Sequence, residues 1–181
     1  IAAVSTVLFV FLAREKPATP PGEPGGETRA LMLDGLKHAL SVPRFWIYLF
    51  ISFVGLGLFN GITTWVEPII RLRGFTPEAA GTLGALMLGG GLVGAVIMPI
   101  FSDKSGKRQI FILLGFALAI PGLIGVTFSV TAWLLFLSAF MMGFFLVGAN
   151  PIGMQYAAEI TNPTPEGTSN GLIQLFGQAS V

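Results

Sequence analysis

Residues 103–108 read DKSGKR and form a charged island between two long apolar runs, 81–101 and 110–130. Two apolar runs of about 20 residues on either side of a polar turn are not typical of soluble proteins. Two membrane-spanning helices joined by a short polar turn produce this pattern. Gly106 can adopt the left-handed backbone conformation that a connection of this length requires. The stretch therefore predicts a hairpin of two transmembrane helices.

The composition of the whole chain agrees with a membrane protein. Hydrophobic residues make up 53% of the 181 residues and charged residues only 10%, which is far from the balance of soluble domains. A net charge of +1 provides no positive field for nucleic acid. With no cysteine and one histidine, neither a thiolate metal site nor a metal site of several histidines can be assembled. We therefore expect no nucleic-acid partner, no metal, no cofactor and no catalytic residue.

Apolar segments divide the chain into predicted spans. Four segments are long enough to cross a bilayer, because roughly 20 residues at a rise of about 1.5 Å match a hydrocarbon core of about 30 Å. They cover residues 45–70, 78–101, 109–130 and 132–157. Shorter apolar segments at 1–13 and 169–181 are expected to belong to two truncated helices. The predicted fold is an all-α membrane protein, a partial helical bundle with four complete and two truncated transmembrane helices.

Residues 14–44 are predicted to form a linker, because prolines and glycines prevent regular structure in its first part. In residues 27–40, leucines alternate with charged side chains. This pattern predicts a short amphipathic helix at the membrane surface or, alternatively, a partly ordered tether. His38 is expected to lie in this helix without a chemical role.

The orientation of the spans follows from the basic residues. Eight of the ten lysines and arginines lie in the linker and in the 103–108 stretch. Only Arg71 and Arg73 lie on the opposite side, where Glu67 is expected to pair with Arg71. Because cytoplasmic loops carry an excess of lysine and arginine, the linker and the charged stretch are predicted to face the cytoplasm.

The charged stretch is predicted to act as a cytoplasmic latch. Asp103 can accept hydrogen bonds from Lys107, from Arg108 or from free backbone N–H groups of the following helix. With Gly106 forming the turn, these contacts would hold neighbouring helices together in a reversible way. The alternative is a solvated turn that follows only the positive-inside tendency.

Polar residues recur on one face of the span 45–70. Asn60, Thr63, Thr64 and Glu67 are spaced i, i+3, i+4 and i+7, which places them on one helical stripe. This stripe must face protein or water, because amides and carboxylates are costly in lipid.

The last apolar segment repeats the pattern with Asn170, Gln174 and Gln178, spaced i, i+4 and i+8. Two polar stripes on separate helices would form the wall of a polar cavity, although hydrogen bonding between helices without a ligand explains the same pattern. The candidate substrate-binding residues from both stripes are Asn60, Thr63, Thr64, Gln174 and Gln178.

Glycines and prolines in the spans predict close helix packing and kinks. The glycine-rich span 78–101 is predicted to pack closely on another helix, with Gly90 and Gly94 on the contact face. It is not a phosphate-binding loop, because no Gly-Lys-[Ser/Thr] follows. Pro121 and the Asn150-Pro151 step predict kinks.

Two stretches resemble known transporters. The DKSGKR stretch resembles the D-x-x-G-[RK]-[RK] loop signature of the major facilitator superfamily of secondary transporters. Residues 159–172, EITNPTPEGTSNGL, resemble the E-[IL]-T-x-P-x-x-E-G-T-S-x-G-L stretch of the feline leukaemia virus subgroup C receptor-related group. The resemblance implies the carboxy-terminal half of a bundle that is built from two six-helix halves.

In that layout, residues 1–13 are the end of transmembrane helix six, and 14–44 are the cytoplasmic linker with its short amphipathic helix. Residues 45–181 are the carboxy-terminal half bundle, comprising helices seven to ten and the start of helix eleven. The resemblance also implies transport of choline, ethanolamine, haem or another small metabolite. Gln178 falls on a substrate-linked glutamine of helix eleven, whereas Asn60 replaces a tyrosine of helix seven whose aromatic face suits a quaternary ammonium group.

We therefore expect a secondary active transporter that moves a small polar or amphipathic solute by alternating access. Its other partners would be the lipid bilayer and the missing amino-terminal half of the same polypeptide, and its location a multi-pass position in the plasma membrane. A non-transporting membrane receptor or scaffold with the same fold is the alternative. A membrane-embedded enzyme is disfavoured, because no nucleophile-base pair or metal constellation occurs in the spans.

Overall fold

A computed structural model of the chain describes residues 32–180 and contains six helices in that range. These are α1 Met32–Ser41, α2 Pro43–Arg71, α3 Pro77–Ser105, α4 Arg108–Phe128, α5 Ala132–Ile160 and α6 Glu166–Gln178. No strand occurs among these residues, and the all-α prediction is confirmed. The predicted end of helix six at 1–13 lies outside the described range.

Helices α2 to α5 are long and apolar enough to cross a membrane. The three helices of 29 residues are about 44 Å long at a rise of 1.5 Å per residue, longer than a hydrocarbon core of about 30 Å. Large apolar side chains cover their outer surfaces. Phe50, Trp65 and Leu92 are each more than 60% exposed, which suits a surface surrounded by lipid.

The packing of α3 on α5 depends on glycine, as predicted. A Cβ atom at Gly90 would collide with the carbonyl oxygen of Phe140, and one at Gly94 would collide with that of Phe144. From the other helix, Gly143 meets the backbone of Met87 in the same way. The two backbones therefore approach each other more closely than larger residues permit, and the packing role of this glycine-rich span is confirmed.

The connection between α3 and α4 is shorter than the predicted charged turn. Helix α3 continues to Ser105 and α4 begins at Arg108, so Asp103 lies in the last turn of α3. Only Gly106 and Lys107 connect the helices. The predicted bounds mark only the apolar segment of α3, where the helix lies in the hydrocarbon core. The helix itself is longer, because its backbone hydrogen bonds continue into the polar region. Gly106 has a φ of 66°, and its N–H donates to the carbonyl of Ser102 at 3.0 Å, which confirms the left-handed turn.

Helix α1 docks on the connection between α5 and α6. Thr164 Oγ1 donates to the carbonyl of Gly35 at 3.0 Å, and His38 Nε2 lies 3.1 Å from the carbonyl of Asn162. These contacts favour an ordered helix over a tether for residues 32–41. They also give His38 a structural contact that the sequence did not predict. Residues 27–31 of the predicted amphipathic segment lie outside the described range.

Candidate functional site

A cavity of about 190 Å³ lies between α2, α4, α5 and α6. Five of its lining residues carry polar side chains: Tyr48, Ser52, Asn60, Asn150 and Gln178. Phe59 and Phe116 add two aromatic rings. The cavity therefore combines amide groups, hydroxyl groups and aromatic rings in one site.

Two of the five predicted substrate-binding residues meet in this cavity. Asn60 lies on α2 and Gln178 on α6, and both line it. Their helices approach closely because Gly177 packs directly on the side chain of Leu56. The two predicted polar stripes thus converge at these two amides.

The other three candidates do not line this cavity. Thr63 donates its hydroxyl hydrogen within its own helix, to the carbonyls of Phe59 and Asn60 at 2.9 and 3.0 Å. Thr64 is exposed on the surface of α2, and Gln174 is half-buried on α6. Because the Thr63 hydroxyl already donates to the preceding turn of its helix, it has no free hydrogen to donate to a ligand. Contact of these three residues with a substrate stays a prediction.

Tyr48, Ser52 and Asn150 were missed as cavity residues. A signal for the first two exists, because Tyr48, Ser52 and Asn60 lie at multiples of four along α2 and so form a sloping row on one helix face. Asn150 was identified only as part of a predicted kink. Its position in the cavity depends on how α5 is rotated against α2, which the local sequence does not reveal.

The cavity is uncharged, since the described residues that line it include no Asp, Glu, Lys or Arg. Within residues 32–180, the side-chain amides of Asn60, Asn150 and Gln178 form no hydrogen bond with another residue. These three amides are therefore available to a ligand. In the same range, no group of three or more His, Cys, Asp or Glu side chains could hold a metal ion.

The predicted latch contains an ion-paired arginine. Arg108 Nη1 lies 2.6 Å from Asp103 Oδ1, and its Nε lies 2.8 Å from Glu159 Oε1. Arg108 thereby joins the ends of α3, α4 and α5. Its side chain is 18% exposed, against 54% for Asp103 and 52% for Glu159. Among the described residues Lys107 forms no ion pair, and Glu159 takes the second position in the network.

Arg73 forms a second interhelical contact on the opposite face. Its guanidinium donates to the carbonyls of Ser129 at 2.6 Å and Val126 at 2.7 Å, and so caps the last turn of α4. Burial lowers the pKa of Arg73 from its usual value. The expected pair between Glu67 and Arg71 does not form, because no ion pair in residues 32–180 includes either side chain.

Comparison with known proteins gives consistent matches over the chain. The family model of the Major Facilitator Superfamily matches residues 1–181. An uncharacterized protein of Archaeoglobus fulgidus is 34% identical over 130 residues, which are 71% of this chain and 59% of that protein. The choline/ethanolamine transporter flvcr2a of Danio rerio is 32% identical over 98% of this chain and 42% of its own length. The human choline/ethanolamine transporter FLVCR2 is 28% identical over 98% of this chain and 36% of its own length. The chain therefore spans between about one third and three fifths of these relatives.

Proposed function

Because the chain belongs to the Major Facilitator Superfamily, we propose that it is part of a secondary active transporter that moves a small solute by alternating access. The observation that carries this proposal is the uncharged cavity between α2, α4, α5 and α6, which the amides of Asn60 and Gln178 both line. The resemblances noted for residues 103–108 and 159–172 agree with the matched family and with the choline/ethanolamine transporters. The chain is an integral, multi-pass membrane protein.

The proposed substrate is a small amino alcohol, choline or ethanolamine, after which the Danio rerio and human relatives are named. The cavity of about 190 Å³ forms one side of the proposed site, and the amino-terminal half would supply the other side. Three aromatic rings in the cavity wall, those of Tyr48, Phe59 and Phe116, can hold a cation against their faces. They replace the aromatic face that Asn60 does not supply.

The proposed mechanism uses Arg108 as a cytoplasmic latch, with Asp103 as one anion and Gly106 and Lys107 forming the connection. Glu159 is added to the network as the second anion. Both carboxylates are about half exposed, so water can replace the contacts when the helix ends separate. The latch would form in one state of the carrier and open in the other.

In this proposal residues 45–181 are helices seven to ten and the start of eleven, and residues 14–44 are the cytoplasmic linker. The carrier also needs an amino-terminal half, which would complete the other wall of the substrate path. The excess of basic residues at the linker and at 103–108 supports a cytoplasmic position for both. The proposed location is the plasma membrane.

The test is uptake of radiolabelled choline and ethanolamine by proteoliposomes that contain the full-length protein. Gln178→Leu removes a donor and an acceptor while it keeps a similar volume, and it should raise the KM about tenfold, the effect of one hydrogen bond to a charged group. Leu175→Met is the control on the same helix, at an exposed position outside the cavity, and it should leave the KM unchanged. Binding of both compounds without uptake would favour a receptor over a transporter, and an equal effect of both variants would remove Gln178 from the binding site.

A further inference from the structure

Helix α5 lacks one backbone N–H donor in the segment that borders the cavity. Pro151 lies inside the helix and has no N–H group. In a regular helix, the N–H of residue 151 would donate to the carbonyl four residues earlier, which belongs to Val147. That carbonyl consequently lacks its helical donor. Val147 and Asn150 both line the cavity, so the unpaired acceptor lies in the part of α5 that borders the ligand space.

The side chain of Val147 contacts helix α3. Its Cβ and methyl groups pack against Gly91 of α3, at 2.9 to 3.2 Å from the position that a glycine Cβ would take. Helix α3 contributes no described residue to the cavity wall. The side chain therefore packs between α3 and α5. The Asn150 amide adds a second oxygen acceptor beside this position.

From this arrangement we propose that Asn150 and the Val147 carbonyl freed by Pro151 form a specificity subsite that selects ligands with an N–H donor. This inference rests on the proposed transport of an amino alcohol. A backbone carbonyl is an acceptor only, and the cavity wall offers no carboxylate to neutralise a cation. A primary ammonium group donates to such an oxygen, whereas a quaternary ammonium group has no N–H.

The energetic argument depends on the cost of an unpaired acceptor. A site that hydrogen-bonds its ligand rejects an analogue lacking the donor, because its own polar groups then lose water without gaining a partner. The aromatic faces of Tyr48, Phe59 and Phe116 serve both kinds of ammonium group and do not discriminate between them by hydrogen bonding. The subsite on α5 therefore favours a primary over a quaternary ammonium group, and the carrier should bind ethanolamine more tightly than choline.

The test compares ethanolamine, N,N-dimethylethanolamine and choline as competitors for binding to the purified full-length protein. Pro151→Ala restores the N–H group, which occupies the Val147 carbonyl without any change in the cavity side chains. Alanine is favoured over proline inside a helix, so this variant should fold. The ratio of the choline to the ethanolamine dissociation constant should fall about tenfold, corresponding to about 1.4 kcal/mol.

Pro99→Ala is the matched control. Pro99 lies inside α3, and its change restores a helical N–H without affecting the cavity. The ratio should stay unchanged in this variant. Asn150→Leu is a second variant, which should weaken ethanolamine binding while choline binding is largely retained, because only the donor-bearing head loses a partner.

The outcomes separate this inference from the proposed function. An unchanged ratio in Pro151→Ala, in a protein that still binds the amines, overturns the subsite and leaves the proposed transport intact. An equal fall of the ratio in Pro151→Ala and Pro99→Ala also overturns it, because the loss of a proline from any span would then suffice. Failure of the unmodified protein to bind all three amines overturns both the subsite and the proposed substrate class.

Discussion

Replacement of Arg108 by glutamine should shift the balance between the two access states of the full-length carrier. The change removes two ion pairs at once, at 2.6 Å to Asp103 and at 2.8 Å to Glu159. It also leaves two carboxylates close together without a shared cation. No other described side chain joins the ends of α3, α4 and α5 through an ion pair.

The expected magnitude follows from the exposure of the partners. Exposed ion pairs contribute about 0.2–1 kcal/mol each, and Arg108 itself is only 18% exposed, which places its pairs at the upper end of that range. Two pairs together then give about 1–2 kcal/mol. If the latch forms in only one access state, the ratio of the states changes by a factor of about 5–30.

The assay is the rate at which a cysteine introduced at Asn60 reacts with a membrane-impermeant thiol reagent added from each side. Arg108→Gln and Glu159→Gln should change the ratio of the two rates in the same direction. Lys107→Gln is the matched control, since it removes a charge from the same connection without breaking an observed ion pair. A lower thermal stability of Arg108→Gln with an unchanged ratio of rates would refute the latch and leave a purely structural tie between three helix ends.

Three further outcomes are expected. Gly94→Leu should disrupt the packing of α3 on α5 and lower the free energy of unfolding by about 1–3 kcal/mol or more. Gly89→Leu, with open space around its Cβ position, should leave the thermal unfolding temperature nearly unchanged. Thr164→Val should release α1 by removing a buried hydrogen bond worth about 1 kcal/mol, seen as faster proteolysis before residue 43, and unchanged proteolysis would contradict the docking. Cysteines at Ser105 and Thr76 should react with impermeant reagents from opposite sides of the membrane, Ser105 from the cytoplasm, and reaction from one side only would refute the predicted topology.

The candidate site was predictable only where its residues follow a helical period. Asn60 and Gln178 were found because each belongs to a polar row in an apolar span, and the structure brings them to one cavity. The same rows also included Thr63 and Gln174, which do not line it. A row of polar residues defines a face of roughly 100°, and only part of that face borders the cavity.

The sequence by itself determined the helical class, the four spans and the turn at Gly106, because hydrophobic length, helical period and the conformational freedom of glycine are properties of consecutive residues. Only the tertiary structure decided which distant residues meet. Glu159 joins Arg108 across 51 positions, and Asn150 reaches the cavity opposite Asn60. These contacts depend on how each helix is rotated and how closely it approaches its neighbours, as in the close contact of α3 with α5 at Gly94.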